Sequence, residues 1–222
     1  MSAHPVNGPS SFALRGRSYG AEPPAEPVRA RRPRRAPWLA AILLLLALAG
    51  WQLGGAAWIQ AKALLAQHLI ASSWAKAKAG EAKRPWPWAD THPVARLTVP
   101  SRGIELYVLA GTSGRSLAFG PGHVDGTAAP GAAGNSVIVA HRDTHFAFLR
   151  TLHEDEEILV EDALGRVARY RVRESVVVDK HATRLLDPAD SPQLTLITCW
   201  PFDALQPGTD ERFVVIADRL PA

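Results

Sequence analysis

Trp38 to Ile59, "WLAAILLLLALAGWQLGGAAWI", runs for 22 residues without a charge, and no other stretch restricts the chain so tightly. A membrane-spanning helix needs about 20 consecutive apolar residues. "RARRPRRAP" precedes the run, and basic residues at one flank hold that flank in the cytoplasm. The sequence therefore predicts an uncleaved signal anchor over 38–59, with an inner (cytoplasmic) membrane location, the N-terminus cytoplasmic and everything beyond residue 60 outside. A cleaved signal peptide has a shorter apolar core and a shorter tail.

Charge follows the same division. Seven Arg against Glu22 and Glu26 place +5 in residues 1–37, while the whole chain sums to +4. The remaining residues are thus close to neutral, and the high pI gives no support to a nucleic-acid-binding domain. Residues 1–37 lack the apolar periodicity of a folded segment and read as a basic disordered cytoplasmic tail. "IQAKALLAQHLIASSWAKAKAG" continues as helix to near Gly80, and "RPWPWADTHP" reads as a Pro-rich extended linker. Residues 60–90 are accordingly a juxtamembrane helix and linker.

From residue 91 onward the pattern becomes mainly β. "ARLTVP", "IELYVLA", "SVIVA", "EEILVED", "VARYRVRESVVVD", "LTLITC" and "RFVVIAD" alternate with Gly and Pro turns, as in a barrel or sandwich. "THFAFLRTL" and "ATRLLDP" each carry a turn or two of helix. Residues 91–222 form one domain, large enough to bury a core.

The single cysteine of the chain, Cys199, ends the strand "LTLITC". Outside the cytoplasm cysteines are normally paired, so a lone one is either packed in the core or a thiol kept for use. His141 ends the strand "SVIVA", and Arg212 begins "RFVVIAD". A thiol ordinarily titrates near about 8.5, and a neighbouring His or Arg favours the thiolate. An imidazole donates a proton to a leaving amine, and an Arg stabilises a developing oxyanion. Brought together at a barrel rim, the three suit covalent acyl transfer.

"TLITC" resembles the T-L-x-T-C signature of the sortases, membrane-anchored cysteine transpeptidases. The order His, then Cys, then Arg is the sortase order, with gaps here of 58 and 13 residues. The resemblance extends through "AFGPGHVDGTAAPGAAGNSVIVAHRDTHFAFLRTL" and covers about 91–222. The flanks "HRDTHF" and "TCWPFD" look like the sortases found in Gram-negative bacteria. The family implies a closed eight-stranded β-barrel with short helices, the active site at one end, and no cofactor. By resemblance, Cys199 is the nucleophile that cleaves a C-terminal sorting signal of the LPxTG type and holds it as a thioester. His141 is the proton donor and acceptor, and Arg212 positions substrate and stabilises the transition state. The implied partners are a substrate protein with such a signal and an amine acceptor, often a cell-wall precursor. Thr198, beside the nucleophile, is a candidate substrate or oxyanion contact; Asp143 reads as a turn cap.

Other readings meet specific objections. "HRDTH" spaces His141 and His145 like zinc ligands, and His123 is a possible third. The catalytic helix pattern, however, needs Glu after the first His, where Arg142 stands. L,D-transpeptidases carry Gly before the cysteine and Arg two residues after it; Thr198 and Pro201 occupy those positions. NlpC/P60 peptidases place Cys before His. "HEDEE", which suggests calcium, reads as a solvated loop, and Arg169, Arg171 and Arg173 as one solvent face of a strand. The alternative outside enzymes is an anchored β-domain that binds a partner, with Cys199 in its core.

Overall fold

The computed structural model describes residues 35–79, 84–189, 191–206 and 208–221, the side chains of 35, 36 and 56 excepted. Most of the expected basic tail lies outside the described residues. Helix α1 (Arg35–Lys78) carries the apolar run and is long and apolar enough to cross a membrane. The chain divides into two compact units, Met1–Ala49 and Gly50–Ala222, and the second contains every described strand.

Eight strands close into a barrel: β1 (Pro93–Val99), β2 (Ile104–Ala110), β3 (Gly122–His123), β4 (Asn135–Val139), β5 (Glu157–Asp162), β6 (Val167–Asp179), β7 (Gln193–Trp200) and β8 (Glu211–Arg219). Their order around the barrel is β1-β2-β3-β4-β7-β8-β6-β5, with β5 paired back to β1. Seven strands coincide with the seven apolar runs within two residues at each end. β3 has no counterpart in the sequence reading, because two residues, one of them Gly, carry no alternation. Its glycine is required by contact: a Cβ on Gly122 would sit 2.3 Å from the Gly111 carbonyl oxygen. Short 3₁₀ turns at Ala147–Thr151 and Thr183–Leu186 fall where helical turns are expected.

The core takes alternate residues from the strands, as a pleat dictates: Leu97 and Val99 of β1, Ile138 of β4, Ile158 and Val160 of β5, Tyr170 and Val172 of β6, Leu194 and Leu196 of β7, Val215 and Ala217 of β8, joined by Phe146 and Leu149. The end of α1 and the Pro-rich segment are also fixed. Ala66, Ile70 and Trp74 are buried, and the Trp74 ring lies 6.4 Å from that of Tyr107. Trp86 meets Phe119 edge-on at 5.1 Å, and Thr91 Oγ1 donates to the Ala110 carbonyl at 2.8 Å. Lys78 pairs with Glu161 of β5, which Arg96 of β1 also contacts. These partners hold Glu161 below the usual carboxylate range, Lys78 having the largest effect.

The acidic run "HEDEE" is exposed at His153, Glu154 and Asp155, as a solvated loop should be, but Glu156 is tied down. Glu156 accepts from Arg102 Nε at 2.9 Å and from the His153 backbone amide at 2.9 Å, and Ser101 also donates to it. Hydrogen bonding from Arg102 is the main reason its pKa falls to about 2. A depressed carboxylate stabilises the fold above its unfolded value of about 4.3. That contribution is lost as pH falls through the folded value. Glu156→Gln is expected to cost about 1–3 kcal/mol at pH 7. It should also lessen the decline of stability between about pH 4.5 and 2. Urea titrations of both chains across that range check it; identical declines would mean that Glu156 is not tied to Arg102 in solution. Arg169 and Arg173 do lie on an exposed face, paired with Glu157 and Asp218.

Candidate active site

Topology brings the expected residues together. β4 and β7 are parallel neighbours, joined by a crossover that includes β5 and β6, so both end at the same rim. β8 runs antiparallel to β7 and starts at that rim. The β4–β7 register pairs Val139 with Ile197. It continues one residue further, since Ala140 donates its amide to the Ile197 carbonyl at 3.2 Å. Carried one step further, the same offset leads from Cys199 to His141, which stands two residues past the end of β4. On the other side, Cys199 pairs directly with Arg212. Adjacent strands lie about 4.7–4.9 Å apart, so Cys199 and Arg212 stand side by side on β7 and β8, and His141 follows the end of β4 at the same rim.

Cys199 and Arg212 also share a face. Ile138 and Ala140, Leu194 and Leu196, and Val215 and Ala217 point into the core. Side chains alternate along a strand, so Cys199 and Arg212 fall on the outward side of β7 and β8. Cys199 is half-buried, as is Arg212, and His141 is exposed. β7 ends at Trp200, followed by a cis peptide bond to Pro201. The rings of Trp200, Phe202 and Phe213 lie 5.3–5.6 Å from one another.

Thr198 has a different place from its neighbour. It is 2% exposed, and its hydroxyl donates to the Ala140 carbonyl at 2.8 Å. Its side chain thereby ties β7 to the residue just before His141. Asp143 is exposed and contacts Arg142 Nε at 3.2 Å. The Phe146 amide donates to the His141 carbonyl at 3.1 Å, closing the turn that carries "HRDTHF". Burial pushes the His145 imidazole's pKa down, opposed by a hydrogen bond to the Ala118 backbone; nearby His141 lowers it further. Among the described residues, no group of three or more His, Cys, Asp and Glu side chains is arranged to hold a metal ion.

Three residues that fix the connections flanking these strands carry no local sequence signal. Asn135, on the outward side of β4, donates from Nδ2 to the carbonyls of Leu185 at 2.8 Å and Asp187 at 3.1 Å. Its Oδ1 accepts from Thr195 Oγ1 at 2.8 Å. These bonds lay the β6–β7 connection across the outer face of β4 and β7, and Val137 on that face has no exposed surface. Arg142 is buried and bonds the loop between β7 and β8. Arg212 Nη1 donates to the Thr209 carbonyl at 2.7 Å and to that of Glu211 at 2.8 Å, so Thr209 belongs to the same loop's fixed part. Distant pairing of this kind depends on the folded topology, and only the order His, Cys, Arg pointed toward it.

A sortase domain matches residues 97–220. Sortase D of Bacillus subtilis (strain 168) is 26% identical over 125 residues, covering 56% of this chain and 62% of that protein. Sortase A from Corynebacterium diphtheriae superposes with a TM-score of 0.54 at 30% identity, covering 61% of this chain and 64% of that one. A Clostridium perfringens sortase D5 transpeptidase gives a TM-score of 0.57 over 71% of this chain and 99% of its own, and at 21% identity attests the fold. The chain thus spans less than two thirds of the length of the first two relatives. The matched domain nonetheless covers more than half of this chain and includes His141, Cys199 and Arg212, and on that ground the chain belongs to the sortase family.

Proposed function

We propose that the chain is a membrane-anchored cysteine transpeptidase acting on proteins that end in an LPxTG-like sorting signal. The observation that carries this reading is the convergence of His141, Cys199 and Arg212 at one rim of the barrel, where β4 and β7 end and β8 begins. The Cys199 thiolate attacks the carbonyl carbon of the scissile peptide bond, forming a carbon–sulfur bond. Arg212 donates hydrogen bonds to the oxyanion, a contribution of about 2.7–4 kcal/mol per donor in comparable sites. The carbon–nitrogen bond then breaks as His141 gives a proton to the departing amine, which leaves a thioester on Cys199. An incoming amine attacks the thioester, surrenders a proton to His141 and releases the thiolate. Thr198 acts through Ala140, holding the base of His141 in line with Cys199. Residues 38–59 anchor the chain in the cytoplasmic membrane with the barrel outside, as the arginines before the span favour.

The test uses the whole chain in detergent. It is incubated with peptides of the LPxTG type, without and with hydroxylamine or triglycine as acceptor, and followed by mass spectrometry. The expected result is an acyl adduct on Cys199 that the acceptor discharges as a new amide or hydroxamate. In His141→Ala the adduct should form at least about 10²-fold more slowly. Complete absence of adduct and cleavage across a library randomised at the signal positions, with Cys199 open to alkylation, would overturn the sorting-signal reading. Adduct formation unchanged in His141→Ala would overturn the role of the imidazole.

A further inference from the structure

Arg142, next in sequence to His141, is only 5% exposed. A guanidinium is costly to bury unless its donors find acceptors. Nη2 donates to the carbonyls of Ala204 at 2.7 Å and Gln206 at 2.9 Å. Nε donates to Asp143 Oδ1 at 3.2 Å, and Nη1 reaches Thr209 Oγ1 at 3.5 Å. Ala204, Gln206 and Thr209 all belong to the connection between β7 and β8. That connection leads from Cys199 to Arg212.

Thr209 is where the two arginines meet. Its hydroxyl faces Arg142, and its carbonyl accepts from Arg212 Nη1 at 2.7 Å. A planar guanidinium that bonds two main-chain carbonyls from Nη2 and faces a hydroxyl from Nη1 fixes a loop's direction as well as its distance, which an ammonium does not. The residue beside the imidazole is therefore linked, through these bonds and one loop, to Arg212, the strand partner of Cys199.

We propose that Arg142 is a positioning residue: its guanidinium holds the β7–β8 loop so that Thr209 in turn holds Arg212 beside the Cys199 thiolate. This rests on the reading of Cys199 as nucleophile, and it assigns no contact between Arg142 and substrate. Losing the guanidinium while keeping the charge should let the loop drift and move Arg212 away from the sulfur.

The test compares the rates at which Cys199 of the detergent-solubilised chain reacts with iodoacetate, an anion, and iodoacetamide, which is neutral. Both reagents consume thiolate, so their ratio cancels the thiolate fraction and reads the positive potential at the sulfur. Arg142→Lys is expected to lower the iodoacetate-to-iodoacetamide ratio about threefold or more. Arg212→Ala should lower it at least as much, and Arg142→Lys should add nothing in the Arg212→Ala background. A ratio unchanged in Arg142→Lys, or a drop that adds to that of Arg212→Ala, overturns the proposal. Should Arg142→Lys fail to fold, Thr209→Val removes only the side-chain acceptor; a smaller drop that again vanishes without Arg212 supports the proposal, and no drop overturns it. A native parent chain that neither reagent labels would instead sink the nucleophile assignment itself.

Discussion

Cys199→Ala is expected to abolish acyl-adduct formation and cleavage of LPxTG-type peptides, and to leave the fold as stable as before. The thiol is half-buried on the outward face of β7, while the core of that strand is built by Leu194 and Leu196. Removing one outward sulfur leaves no core cavity, so the change in stability should stay within about 0.5 kcal/mol. Cys199→Ser retains a hydroxyl of similar placement but a far poorer nucleophile, and turnover should fall by roughly 10³-fold or more. Thermal unfolding and the peptide assay, run on the same preparations, separate two readings. An anchored β-domain with a structural cysteine predicts the opposite pattern, lost stability with retained function. Unimpaired turnover in Cys199→Ala would refute the enzyme.

Much of the barrel was legible because seven of its strands obey a period of two that one buried face imposes. Val167–Asp179 illustrates the signal: its buried positions are Ala168, Tyr170 and Val172, alternating with exposed arginines. β3 escaped because it is defined by its neighbours and not by its own residues. The candidate site residues were named for a separate reason. Cys199 is alone, and its flanks and spacing resemble a known family. The side chains that support the segments around them were not legible. Arg142 resembles any loop arginine until the chain returns at Ala204 and Gln206, 62 and 64 residues later. Asn135 looks like a strand-edge polar residue until Leu185 and Asp187 present their carbonyls. Glu156 sits in an acidic run whose composition suggests water, yet Arg102 lies 54 residues away in sequence and claims it. In each case the partner is supplied by tertiary closure, which composition and local periodicity do not encode.

Phe146→Ala should produce the largest loss of stability among single changes near the site. The ring has no exposed surface, belongs to the barrel core, and packs edge-on against Phe148 at 5.9 Å. Truncating a buried Phe to Ala costs about 3–5 kcal/mol, because the cavity refills only in part. For a chain of this size that corresponds to a midpoint lowered by roughly 6–20 °C. The position also matters for function. The Phe146 amide closes the turn from His141, and its ring is what presses that turn onto the core. Side chains tie Cys199 to the His141 turn through Thr198 and Arg142, but Cys199 itself lies within the β7–β8 ladder. Well below its midpoint, Phe146→Ala should therefore label with iodoacetamide at close to the parent rate while forming acyl adduct more slowly, since the imidazole and not the thiol has lost its support. Phe146→Leu, which refills most of the volume, should recover most of both. A midpoint shift below about 2 °C, far under the range set by cavity formation, would show that the ring is not packed as described. A fall in labelling equal to the fall in acylation would show that losing the ring disturbs the thiol as much as the imidazole.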